Sequence, residues 1–315
     1  MPITKKAASN EPFSIMEGEP PLIAAERAVR RGRWNDLQER TSGRSATWND
    51  LGDCYIFRPR GQGIWIDAVR TRGSDAPYGI AHSILLSDAY GEEPPTEERF
   101  VYRYPRPSSR SRQEISAIKA AREVDLPLFV VDSISSRGAY LVTVAWVIDF
   151  YDKAEAFLFG RSRASEPEWA QYDLDDSPFE ETTSRRRTEV SRLLRPGQRN
   201  FRFDVMSRYE AQCALCDLEV PDLLRAAHIR PVQNQGSDDA RNGLLLCENH
   251  HLAFDAGLIR IHADSLCVEV PKMMTHQRLQ ITRKDLHHLS KRPAVEALRW
   301  RSARYKPYSR HQYAK

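Results

Sequence analysis

The sequence predicts an α+β chain of two modest domains. Its 315 residues exceed a single typical domain of about 100–200 residues. Residues 51–165 string together short runs rich in Val, Ile, Phe, Tyr and Trp, with turn residues between them and one helical stretch among them. That pattern fits a small, strongly curved α+β sheet or open barrel. Four of the five cysteines fall between residues 185 and 275, which marks a second compositional unit.

The elements follow in order. Residues 1–50 read as a leader and a lead helix: the first twenty, polar and proline-bearing, are expected to be disordered. From Leu22 to Arg40, Leu22, Ala25, Val29 and Leu37 fall roughly on one helical face. RPRGQG, from Arg58 to Gly63, reads as a loop. GIWIDAVR, HSILLSDAY, RFVYRY, LPLFVVDSI and AYLVTVAWVIDFY read as strands. Between them SRQEISAIKAAREV predicts a helix with Ile115, Ile118 and Val124 on its apolar side and a capping box from Ser111 and Glu114. Residues 166–198 form a linker, acidic in EPEWAQYDLDDSPFEE and then basic in SRRRTEVSRLLRPGQRNFR, which has the single carboxylate Glu189. The basic block, with Arg185, Arg186 and Arg187, is a solvated face or a phosphate-binding strip. Residues 199–275 form the cysteine-bearing unit. In the tail, 276–315, Arg299, Arg301, Arg304 and Lys306 interleave with Trp300, Tyr305 and Tyr308, to touch a polyanion or to pack a terminal helix.

Composition excludes several classes. The 41% hydrophobic fraction supports packed cores, and the net charge of +4 is only mildly basic. No apolar run approaches the roughly 18 residues needed to cross a bilayer. The amino end lacks the apolar centre of a signal peptide, so a cytoplasmic protein without membrane contact is expected. An odd number of cysteines in such a chain argues for thiols or metal ligands, not a disulfide framework.

Cys213 and Cys216 make a C-x-x-C in CALC; about thirty residues on, Cys247 and His250 make a C-x-x-H. Two such pairs, each from its own turn, predict a tetrahedral Cys₃His site for structural Zn²⁺. His251, directly after His250, is left over. Adjacent side chains point apart, so it can face a different pocket, where His228 and Asn242 could meet it. Asn242-Gly243 suits a turn between hairpin and helix, and the LLL after it fits a buried segment.

Here the chain resembles a known family. RPGQRNFRFDVMSRYEAQCALC, LLRAAHIRPV and RNGLLLCENHHLAFDAGLI look like the HNH (ββα-metal) endonucleases of bacterial restriction enzymes, from about Arg195 to Ile261. The resemblance implies that His228, ending the first β-strand, is the general base. It implies that Asn242 braces the loop, orients His228 and could act near the metal. His251, at the start of the helix, would bind a catalytic Mg²⁺ or Mn²⁺. Neutral imidazole, with a pKa of about 6.5, suits removal of a proton from water. Many members carry an acidic metal ligand just before the base, where this chain has Ala227; some restriction-type members share the Ala-Ala-His-Ile run. Asp255, four residues after His251, would lie on the same helical face and is the candidate second ligand.

The front region resembles the SRA domains of the PUA superfamily, which flip a modified cytosine out of the duplex. SILLSDAYGEE, RFVYRYPRP, the helix SAIKAAREV and RGAYLVTVAWVIDFYDKAEAFLF follow in matching order. Asp88 and Ala89 replace two family glycines, and Arg-Tyr-Pro-Arg-Pro replaces a glycine loop. A flipped base needs two stacking faces and partners for its edge; the resemblance offers Tyr90 and Tyr102 for stacking and Glu93 for the edge. Arg106, Arg110 and Arg112 offer cations to the DNA backbone. The expected protein is a modification-dependent, type IV-like restriction endonuclease acting on double-stranded DNA as a homodimer. Its alternatives are a non-catalytic reader of modified DNA and an HNH nuclease or nickase indifferent to modification.

Overall fold

The computed structural model describes residues 12–16, 18–58, 63–73, 75–86, 99–135, 138–162, 179, 181–182 and 201–304. The chain divides into two units, Met1–Phe150 with Ala156–Ser165, and Tyr151–Glu155 with Glu166–Lys315.

In the first unit, α1 (Pro21–Thr41) opens on a proline, whose missing N–H is no loss in a first turn, and ends on Ser42 in the left-handed region. β1 (Ala46–Thr47) leads into α2 (Trp48–Asp53), which Thr47 and Asp50 cap reciprocally. β2 (Ile64–Ile66), α3 (Ala68–Thr71), β3 (Ala81–Leu86), β4 (Arg99–Arg103), α4 (Ser111–Glu123), β5 (Leu128–Ser135), β6 (Ala139–Tyr151) and β7 (Ala156–Gly160) follow. The strands form a seven-stranded sheet in the order β2-β3-β5-β6-β7-β4, with β1 added to β6. Its ends are different strands, so among the described residues it is open. β3 and β5 run parallel, and α4 lies in the connection between them.

β5 shows why a continuous apolar run makes a central strand. Leu128 and Val130 face one core with Phe100, Tyr102, Ile118, Phe157 and Phe159. Phe129 and Val131 face the other with Phe13, Leu37, Phe57, Trp65 and Trp146. A strand buried on both faces needs apolar residues at every position. Phe13 is fully buried, with its ring 5.3 Å from Phe129. The disorder expected of residues 1–20 therefore does not extend to it.

Three local expectations are corrected. The docked face of α1 keeps Leu37 from the expected apolar one but not Leu22, which is 49% exposed, while Ile23, Glu26, Arg27 and Arg30 turn inward beside it. Charges there are tolerable because each is partnered. Arg30 donates to Glu26 Oε1 (3.0 Å) and to the carbonyls of Pro127 (2.7 Å) and Ala81 (3.0 Å). Arg27 donates to Glu19 and to the Asp125 carbonyl. Burial works against ionising Glu26, yet His82 beside it and the Arg30 guanidinium hold its carboxyl at about 2. Burial pushes His82 down to about 3, which keeps it neutral.

The second correction concerns α4, where Ser111 and Glu114 form no capping box. Ser108 Oγ instead accepts from the N–H groups of Arg110 and Ser111. The third concerns Tyr102. β4 alternates, with Phe100 and Tyr102 on its buried side. Tyr102 is 2% exposed and meets Phe159 edge-on at 6.0 Å, so its ring is core and offers no face to a flipped base.

The second unit begins with α5 (Phe201–Arg208) and continues through β8 (Leu224–His228), β9 (Gly243–Cys247), α6 (Glu248–Asp255), β10 (Arg260–Ile261), β11 (Val268–Glu269) and α7 (Val295–Ala303). β8 and β9 pair antiparallel, with Leu224 opposite Cys247 and His228 opposite Gly243. Every residue of β9 is buried, as its GLLLC sequence requires. α5 and α6 both pack on this hairpin. Gly243 opens β9 and makes no turn into a helix. A Cβ there would come 2.4 Å from Val205 and 2.9 Å from Phe201, so close approach of α5 explains the glycine. No helix among the described residues is long and apolar enough to cross a membrane.

Candidate active site and metal centre

Cys213 and Cys216 sit on the turn after α5, and Cys247 and His250 at the junction of β9 and α6. One ligand atom from each lies within 4.8 Å of all the others. His250 Nδ1 is 3.4 Å from Cys213 Sγ and 3.2 Å from Cys247 Sγ. The edges of a tetrahedral zinc site with these donors are roughly 3.5–3.8 Å, so the group could close on a metal ion with little movement.

Its surroundings suit that task. The Leu279 carbonyl can only accept, so His250 Nε2 donates to it (3.0 Å) and Nδ1 is left with its lone pair toward the thiols. The N–H groups of Leu215 and Cys247 donate to Cys213 Sγ. Its hydrogen bond to Cys247, with burial, pushes the Cys213 thiol up, and the same bond drives Cys247 down. A divalent cation would replace the protons these crowded thiols share.

His228 is the last residue of β8 and is partly exposed. Its Nε2 lies 3.1 Å from Asp238 Oδ1, and Phe201 stacks flat on the ring at 3.7 Å and 11°. A carboxylate only accepts, so this pairing places the ring proton on Nε2 and leaves Nδ1 basic. Ala227, one residue earlier, is fully buried.

Asn242 is fully buried too. Its Oδ1 accepts from Arg230 N–H (2.9 Å), and its Nδ2 donates to the carbonyls of Arg230 (3.1 Å) and Ser237 (2.8 Å). The side chain is thus spent on the loop that carries Asp238. The same loop needs Gly236, where a Cβ would lie 1.8 Å from the Arg230 carbonyl oxygen. Backbone cannot yield as a side-chain tip can, so Gly236→Ala is expected to cost about 3 kcal/mol or more, read as a lower urea midpoint for this unit.

His251 lies outside the cysteine cluster. Its Nε2 lies 3.2 Å from Asp255 Oδ2, one helical turn on. Partial burial works against ionising Asp255, yet His251 and Arg301 together hold its carboxyl below the usual range. One imidazole and one carboxylate, both partly open to solvent, could serve a hard cation that keeps most of its water once their mutual hydrogen bond opens. Arg301 of α7 packs over Phe254 at 3.7 Å and donates to the carbonyls of Ile229 (3.1 Å) and Phe254 (2.7 Å). It ties α7 to the end of β8 and to α6.

Asp238, Phe201, Leu279 and Arg301 hold the site's main side chains, and motif spacing points to none of them. Arg106, Arg110 and Arg112 are exposed before and within the first turn of α4. Tyr90, Glu93, Arg185, Arg186 and Arg187 lie outside the described residues.

Comparison with known proteins bears on this unit most directly. Residues 213–262 match the family model described as HNH endonuclease. No curated protein matches the chain. Among solved structures, the modification-dependent TagI restriction endonuclease aligns at 16% identity and a TM-score of 0.34, over 83% of this chain and 92% of that one. The SRA domain of SUVH5 in complex with fully methylated CG DNA aligns at 17% identity and a TM-score of 0.28, over 37% of this chain and 84% of that one. The type IV phosphorothioation-dependent restriction endonuclease ScoMcrA aligns at 14% identity and a TM-score of 0.26, over 73% and 58%. The family match opens on Cys213 and ends one residue past β10, and so takes in the cysteine turn, the hairpin and α6: residues 213–262 form an HNH endonuclease domain.

Proposed function

We propose that the protein is a type IV-like restriction endonuclease whose HNH domain hydrolyses phosphodiester bonds of double-stranded DNA carrying modified cytosine. The observation that carries the nuclease part is the His228–Asp238 pair under Phe201, next to a helix that presents His251 and Asp255. In this reading His228 Nδ1 takes a proton from the attacking water. Asp238 and Phe201 hold the imidazole in one tautomer and one plane, and Asn242 fixes the loop between them. His251 and Asp255 would hold Mg²⁺ or Mn²⁺. Such an ion polarises the phosphate and stabilises the leaving oxygen. Zn²⁺ in the Cys₃His cage would be structural.

Modification dependence rests on the first unit's SRA-like order of segments, an SRA/PUA-like reader being the reading of its sheet. With Tyr102 in the core, Tyr90 and Glu93 remain the proposed pocket residues. Arg106, Arg110, Arg112 and the Arg185–Arg187 run would meet phosphates. One catalytic site per chain and two strands to cut favour a homodimer.

The test is cleavage of matched plasmids bearing cytosine, 5-methylcytosine or 5-hydroxymethylcytosine, with Mg²⁺ or Mn²⁺ and with chelator. Metal-dependent cutting of a modified plasmid only is the expected result. Equal cutting of all three would leave a nuclease indifferent to modification, and no cutting of any would leave a non-catalytic binder.

A further inference from the structure

We propose that Tyr55 and Arg58 form a second nucleic-acid contact on the first unit, a ring for a base or sugar face beside a cation for a phosphate. The inference rests on the DNA-binding reading above.

After α2 the chain turns sharply: Tyr55 N–H donates to the Gly52 carbonyl (3.1 Å), and the N–H groups of Ile56 and Phe57 return to Leu51 (2.9 and 3.2 Å). This helix end puts Tyr55 at φ 53°, a position that glycine or asparagine takes without strain and a bulky side chain does not. Leu266 shares the conformation at φ 54° but is 3% exposed, so packing offsets its strain. Tyr55 is 64% exposed, and burial offers it little in return.

The ring belongs to a ladder. The Arg33 guanidinium lies 5.6 Å from the Tyr55 ring and 5.7 Å from Trp65, and Arg58 lies 5.8 Å from Trp65 on its own account. Arg33 is committed to Asp67 at 3.2 Å. Arg58 is exposed and has no carboxylate partner among the described residues. The ladder therefore ends on an open ring and an open cation, the two groups a nucleic-acid strand takes up by stacking and by phosphate contact. The backbone beneath is held in place, because His82 Nε2 donates to the Tyr55 carbonyl (3.2 Å).

The position allows an unusual test, since removing the ring should not harm the fold. Tyr55→Gly relieves the strain and is expected to leave Tm unchanged or raise it by about 2 °C. Binding of the full-length protein to a short fluorescent duplex with a single-stranded overhang should weaken about tenfold. Tyr55→Asn, which also tolerates this conformation, should match it, and Tyr55→Phe should bind as wild type. Arg58→Ala should lower the slope of log affinity against log salt by about one. Unchanged affinity in both Tyr55→Gly and Tyr55→Asn overturns the proposal. So does a fall in Tm in both, which would make the ring a cover for the Arg33–Asp67 pair. Failure of the wild type itself to bind any duplex would instead remove the DNA-binding reading.

Discussion

Cys213→Ser is expected to leave the second unit without its metal and without a cooperative fold. Cys213 lies within 4.8 Å of Cys216, Cys247 and His250, and its Sγ also accepts two backbone N–H groups. Serine offers neither a thiolate nor a sulfur acceptor of that reach. Metal binding in such cages contributes about 10–16 kcal/mol to folding, as much as the whole stability of a typical domain. Zinc per chain, measured by elemental analysis, should fall to background. Near-ultraviolet circular dichroism of the second unit should collapse and cleavage should vanish, while the first unit keeps its own melting transition. A folded, zinc-free variant with wild-type cleavage would sink the structural role.

His228→Ala is expected to behave in the opposite way: DNA binding retained, chemistry lost. The ring is partly exposed and contributes little to the core, and its proposed work is on the attacking water. A general base supplies about 10²–10⁴-fold, so single-turnover cleavage should fall by at least ~10²-fold at unchanged gel-shift affinity. Asp238→Asn should give an intermediate loss, because the amide can also donate to Nε2 and so permits the wrong tautomer. Wild-type cleavage by His228→Ala would place the base elsewhere.

The parts of this molecule that were legible in the sequence are those where one residue type at one spacing answers a strict geometric demand. The paired C-x-x-C and C-x-x-H lead to a cage that could hold a metal, and the five strand-like runs of the first unit lead to β2, β3, β4, β5 and β6. Legibility fails where partners lie far apart in the chain. Nothing within α1 marks Arg27 and Arg30 as buried, because their partners at Ala81, Asp125 and Pro127 lie outside that helix. Asp238 carries no periodic signal, since a loop residue can meet His228 only once Asn242 has shaped that loop. Tyr102 is legible as core, since two residues from Phe100 on one strand it shares Phe100's buried side. Beyond residue 275, Leu279 fixes the His250 tautomer and Arg301 joins β8 to α6. A nuclease fragment that keeps these contacts must run through α7.

The charged layer under α1 has a consequence for how freely that helix can move. A helix seated on oily side chains can roll or slide by a fraction of a turn and still find contacts. Arg30 permits no such play, because its guanidinium is forked between two particular carbonyls, on β3 and just ahead of β5, and is pinned to Glu26 as well. Apolar substitutes at Glu26, Arg30 and His82 could match or exceed its stability, but they would give up this single register. His82 carries the constraint onward: one side of its ring faces Glu26 at 3.7 Å, and Nε2 holds the Tyr55 carbonyl. The layer thus acts as a jig that sets where an exposed ring stands on the surface, several elements away in sequence.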